Sequence, residues 1–240
     1  MTYMLSSTDP DFGSVLIISL ATIGFLLAWF ISFSPKRLKE TVQQYGENQA
    51  LARQFITHKV LGVFFMGIVP SFVIYLLLPN AAQYFGLGFQ NIGLSLLYIC
   101  GLMCILLPFM ILGSKKVDSQ KVYPPLRLKT WNRSITLFDG FLWALYLFSY
   151  EILFRGLLLF ICAEHLGIPI AIAINVALYA ATHAPKGAKE SFGAIPLGCL
   201  FSIMTFHTGT IWAAFVIHFL LAFINDLLHV HHSEEMAFEW

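Results

Sequence analysis

The sequence predicts an all-α fold, a polytopic transmembrane helix bundle of about seven spans, with six and eight as the bounds. Three observations predict it. Only 11% of the 240 residues are charged, where soluble domains carry about a quarter. The chain is 58% hydrophobic with a mean hydropathy of +0.75, an apolar surplus that needs lipid rather than a larger core. The apolar residues gather in runs of roughly 20, the length that crosses about 30 Å of hydrocarbon. A net charge of +1 offers no basic face to a nucleic acid, so none is expected as a partner.

The runs lie at about 14–33, 58–79, 91–113, 140–163, 167–184, 191–208 and 210–230. The last three are short and tightly connected, which sets the uncertainty of one in the count. Ahead of the first run, "MTYMLSSTDPDFG" has no basic stretch and no convincing cleavage site, so that run reads as a span and not a removable signal. Lysine and arginine sort to alternate loops. Residues 34–59 hold Lys36, Arg37, Lys39, Arg53 and Lys59, and residues 114–133 hold Lys115, Lys116, Lys121, Arg127, Lys129 and Arg133. Lys186 and Lys189 follow, whereas loops 80–90, 164–166 and 207–210 hold none. The alternation predicts a multi-pass protein of the plasma (inner) membrane, N-terminus outside, basic loops and C-terminus in the cytoplasm.

Three segments follow: residues 1–133 with the N-terminal spans and a cytoplasmic amphipathic linker, residues 134–230 as the core, and residues 231–240 as a cytoplasmic tail. "KRLKETVQQYGENQALARQF" reads as one amphipathic helix lying at the interface. The four cysteines all sit in apolar runs and read as small core residues. His229, His231 and His232, followed by "SEE", read as a solvated tail in preference to a metal site.

Within the spans, ionisable residues are costly and mark candidate sites. Glu151 and Arg155, in "YEILFRG", stand four apart on one helix face, in the order that favours an ion pair. His183, His218 and Asp226 join them, with Asn225 seven residues after His218 on the same face. A rise of about 1.5 Å per residue puts Glu151 roughly 10 Å and His183 roughly 6 Å from the cytoplasmic edge, His218 near the midplane, and Asn225 and Asp226 in the inner third. A polar site is therefore expected in the cytoplasmic half, between the last four spans. The bland alternative is a neutralised pair that locks packing, with His183 an interfacial histidine.

These residues resemble the CAAX-protease and bacteriocin-processing (CPBP, or Abi-type) intramembrane proteases, whose pattern is EExxxR, then FxxxH, then HxxxN or HxxxD. Here the counterparts are Tyr150-Glu151 with Arg155, Tyr179 with His183, and His218 followed by Asn225 and Asp226. The likeness spans about residues 134–230, helped by "FRG" and "TGTIWAAFVIHF". Two departures stand out. The first glutamate is Tyr150, and Ala222 lies four after His218, so the amide must come from Asn225 or Asp226. "HAPKGAKESFG" resembles a branch of the family in which Lys186, Glu190 and Asp226 belong to the site.

The resemblance implies an endopeptidase that cuts membrane-anchored or prenylated polypeptides on the cytoplasmic side of the bilayer. It implies Glu151 and His183 for water activation, His218 and Asn225 for the oxyanion, and Arg155 to orient Glu151. No cofactor is expected, although a zinc held by His183, His218 and Glu151 is open on ligand type. The alternative reading is a non-catalytic scaffold or peptide-binding relative, which the missing glutamate supports. A transporter would show paired broken helices or two similar halves, and neither is visible.

Overall fold

In the computed structural model, which describes residues 11–240, helices form nearly the whole chain and seven helical stretches are long and apolar enough to cross a membrane. The lead of residues 1–10, and the reading made on it, lies outside the described residues. In order the helices are α1 (Phe12–Ser32), α2 (Pro35–Tyr45), α3 (Glu47–Gly62), α4 (Val69–Leu77), α5 (Ile92–Ser114), α6 (Val117–Gln120), α7 (Arg133–Glu151), α8 (Leu159–Leu166), α9 (Ile168–His183), α10 (Ala188–Thr208) and α11 (Trp212–His231). π-helical stretches at Val63–Ile68 and Ile152–Leu158 join α3 to α4 and α7 to α8 without a break in the rod.

Local chemistry sets the ends. Asn132 caps α7, its side chain accepting from the Ile135 backbone N–H at 2.9 Å. α10 stops at Gly209, whose φ of +70° lets the chain turn straight into α11. The expected single interfacial helix is two pieces, because Gly46 at φ +80° breaks it. Its second half, α3, runs on into the second span, within the continuous helical stretch Glu47–Leu77.

The central rod, α7 through α8, is the buried one, and α5 lies at the periphery. The main core gathers Leu153, Phe154, Leu157, Leu158 and Leu159 against Ile17, Met66, Ile74 and Tyr179 from neighbouring helices. Gly156 lies where the rod meets the chain at 84–85: an added Cβ would stand 2.9 Å from the Phe85 carbonyl oxygen. That close approach explains the glycine of "FRG".

The expected solvated histidine tail holds for His231, which is exposed, but not for His229. His229 is buried, and its Nε2 lies 2.7 Å from Ser119 Oγ. His232 Nδ1 meets Ser114 Oγ at 2.9 Å, and Thr130–Trp131 pairs in parallel with Ala237–Phe238. α11 runs on past α5, and its final turn is packed against the 115–131 segment, which buries the His229 imidazole and half-buries that of His232, while His231 stays exposed.

Candidate active site

Glu151 closes α7, and the π-helical stretch begins at the next residue. A π turn widens the helix and frees backbone groups, a geometry common at functional sites. The freed Phe154 carbonyl accepts from the buried Asn175 amide of α9, whose Oδ1 in turn accepts from Ser202 of α10. Three helices are thereby fastened around the pair in "YEILFRG".

Glu151 and Arg155 are both fully buried. Glu151 Oε1 lies 2.6 Å from His218 Nδ1, and Oε2 lies 3.4 Å from Arg155 Nε. The second contact is an ion pair by distance, without hydrogen-bond alignment. Arg155 instead spends its cation on ring faces, its guanidinium carbon 4.3 Å from the Tyr179 centroid and 5.2 Å from that of Phe201. With Nδ1–H donating to the carboxylate, a neutral His218 carries its lone pair on Nε2.

His218 is the member of this group that reaches open space. It lines a cavity of about 600 Å³ together with His183, Asn225, Asp226, Lys186, Lys189 and Glu190. Glu151 and Arg155 do not line it; they stand behind His218 and Tyr179. His183 Nδ1 donates to the Tyr179 carbonyl at 2.9 Å, which leaves its Nε2 free. The Tyr150 ring packs edge-on to those of Tyr179 and His218, and its hydroxyl meets Thr182 Oγ1 at 2.6 Å. Tyr150 thus braces the residue next to His183 and lies outside the cavity lining. Tyr123, from the loop after α6, also lines the cavity, and burial, then the charges of Glu190 and Asp226, push its phenol up. Among the described residues no three His, Cys, Asp or Glu side chains converge in a geometry for a metal ion.

From the cavity wall at Trp143 and Asp226 a second charged layer runs into the bundle, of which the sequence analysis named Asp226 alone as a site residue. Asp226 Oδ2 accepts from Trp143 Nε1 at 2.8 Å. Lys59, counted above among the cytoplasmic loop charges, is buried with its ammonium 2.9 Å from a Trp143 ring centroid. Asp139 is fully buried with no hydrogen-bond partner on either oxygen. The available signal was a charge at the edge of an apolar run, in "THKVLG" and "LFDGFL"; a hydropathy window assigns such charges to loops.

Residues 131–224 match the family model described as Type II CAAX prenyl endopeptidase Rce1-like. The match holds Tyr150, Glu151, Arg155, His183 and His218, and ends one residue before Asn225. Neither the comparison with curated proteins nor that with solved structures finds a match.

Proposed function

We propose, from the premise that residues 131–224 carry the likeness to CAAX endopeptidases, a protein that hydrolyses peptide bonds of membrane-anchored or prenylated polypeptides. The observation that carries this reading is the buried Glu151–Arg155 pair aimed through His218 at an open cavity. Peptide hydrolysis needs a base for water, an acid for the leaving amine and donors for the oxyanion. The division of labour differs from the one the resemblance implied. Glu151 is sealed from the cavity, so its role is to orient His218 and to stabilise the imidazolium that forms there. His218 Nε2 takes the proton from water as the hydroxide adds to the scissile carbonyl, and returns it to the departing amine. Arg155 keeps the carboxylate charged from the opposite side. The Asn225 amide faces the same space and serves the oxyanion, while His183, whose Nε2 carries a lone pair, accepts a hydrogen bond from the attacking water, with Asp226, Lys186 and Glu190 in support around the cavity.

The substrate class comes from the family, and the cavity suits it. Leu102, Leu106, Phe109, Leu197 and Leu200, from the peripheral α5 and from α10, form an apolar wall on which a lipid chain can lie. The test is cleavage of a prenylated peptide by the purified protein in lipid nanodiscs, with mass spectrometry of the fragments. Release of a C-terminal fragment is expected from wild type, and a loss of about 10²-fold or more from His218→Ala. Equal cleavage by both proteins would overturn the assignment.

A further inference from the structure

The first two spans outrun the bilayer at one end. α1 alone has 21 residues, about 31 Å at 1.5 Å per residue, and so fills a hydrocarbon core about 30 Å thick. The helical stretch that it begins continues to Tyr45. Arg37, five residues past Ser32, therefore stands roughly 7 Å beyond that edge. The second stretch gives the same level independently. It ends at Leu77, and Arg53, 24 residues earlier, lies about 36 Å from that end, roughly 6 Å past the core. The polar zone of each leaflet is about 5–7 Å deep, since the whole bilayer measures about 40–45 Å. Both guanidiniums stand at the level of the lipid phosphates.

They also converge on one small cavity. α1, α2 and α3 enclose about 60 Å³, lined by Ser32, Arg37, Thr41, Arg53, Gln54 and Thr57 with two apolar neighbours. No acidic side chain lines it, and neither arginine has a carboxylate within 4.0 Å among the described residues. Each guanidinium is held by a contact that leaves most of its donors free. Arg37 donates from one Nη to the Ile31 carbonyl at 3.3 Å, near the end of α1. Arg53 lies over the Tyr45 ring at 3.9 Å, a contact with a π face that uses none of its five N–H donors. Gln54 donates to the Ser32 carbonyl at 3.3 Å and ties α3 to the end of α1. The frame of the cavity is thus set by three helices.

Two cations without a carboxylate select an anion, and their depth selects its source. A zwitterionic headgroup carries an ammonium that finds no acidic partner in this lining, so a net anionic headgroup fits better. We propose that Arg37 and Arg53 bind the phosphate of one anionic phospholipid in the leaflet at this end of the bundle. Guanidinium and phosphate match in a two-pronged geometry, and basic pockets between spans suit such headgroups. The lipid would fasten the elbow between α1 and α2 to α3 and fix the height of the bundle in the bilayer. The site shares no residue with the cavity at His218 and does not rest on the endopeptidase reading.

Native mass spectrometry tests this by counting the lipid that full-length protein retains on release from phosphatidylcholine nanodiscs holding a minor share of phosphatidylglycerol. Wild type is expected to keep one phosphatidylglycerol per chain, enriched about tenfold or more over its share of the bilayer. Arg37→Gln with Arg53→Gln should abolish the enrichment, and either substitution alone should lower it several-fold. Both side chains are exposed, so their loss spares the core, and the single variants carry the reading if the double one is not recovered. Lys115→Gln with Lys116→Gln removes the same charge after α5 and should leave the enrichment intact. No enrichment in wild type, enrichment kept without the two arginines, or equal loss in the lysine variant each overturns the site. Inorganic phosphate added to pure phosphatidylcholine nanodiscs should leave the melting temperature unchanged. A rise as large as phosphatidylglycerol gives, absent from the arginine variants, would assign the site to free phosphate and overturn the lipid.

Discussion

Glu151 contacts His218 and Arg155 at once, so its variants separate chemistry from packing. Glu151→Gln keeps the volume and an acceptor for His218 Nδ1–H, while the charge is lost. Leaving one partner of a buried pair bare typically costs about 3–5 kcal/mol. The Tyr179 and Phe201 rings already hold the Arg155 cation, so the expected cost lies at or below the bottom of that range. Turnover should fall about 10²-fold or more, with protein still recovered. Tyr150→Phe removes only the bond to Thr182 Oγ1, worth about 1 kcal/mol, and turnover should stay within a few-fold of wild type. Melting temperature and fragment release, measured together on both variants, check this; a folded Glu151→Gln protein at wild-type rate would refute it. The same pair bears on metal. A dication beside Arg155 is disfavoured, and Oε1 of Glu151 is already engaged by His218. Elemental analysis is expected to find no stoichiometric zinc, and one tightly bound zinc per chain would overturn the scheme.

At the scale of the element, α3 carries Lys59 into the bundle, where its ammonium lies on Trp143, with Asp139 of α7 and Asp226 of α11 as the buried carboxylates of the same layer. Lys59→Met should lower the melting temperature by leaving two buried carboxylates without a compensating cation. Asp139→Asn in that background should recover part of the loss, with a coupling energy of about 0.5–3 kcal/mol. Strict additivity in thermal unfolding would show that the three helices are held by something else. This layer marks what the sequence could and could not say. Runs near 20 residues identified the seven spans, since lipid demands length and apolarity and both are written in the residues. The break at Gly46 was missed because a lone glycine in a polar run is tolerated within a helix, and only its φ of +80° ends this one. For the site, the rise per residue ordered Glu151, His183, His218 and Asn225 by depth but carried no information on rotation about each helix. It therefore did not say that Glu151 faces His218, or that it is cut off from the cavity. Asn175, which holds the π-helical stretch, went unnoticed because it has no charge to stand out in an apolar run.

For the whole molecule, the placement of the charges gives an expectation of which way the bundle sits. The basic segments, the cavity mouth and the C-terminal strap share one end. Asn48, Arg127, Lys129 and Glu235 line one groove there, Arg127 approaches Glu235 at 3.6 Å, and Ser119, Lys186 and Lys189 stand at the cavity mouth. The opposite end, with the turn at Ala81–Phe85 and the α10–α11 junction, holds no lysine or arginine at 80–90 or 207–210. Retention of lysine and arginine on the cytoplasmic side would orient the protein with its cavity open to the cytoplasm, the side on which the proposed function needs it. Single cysteines test this in a background with Cys100, Cys104, Cys162 and Cys199 replaced. Gln83→Cys and Lys116→Cys both fall at exposed positions, so neither should disturb packing. A membrane-impermeant maleimide added to intact cells should label Gln83→Cys at once and Lys116→Cys only after permeabilisation. Labelling of Lys116→Cys from outside would invert the bundle and turn the cavity away from every cytoplasmic substrate. The proposed function would then fail on topology even with the Glu151–His218 pair intact.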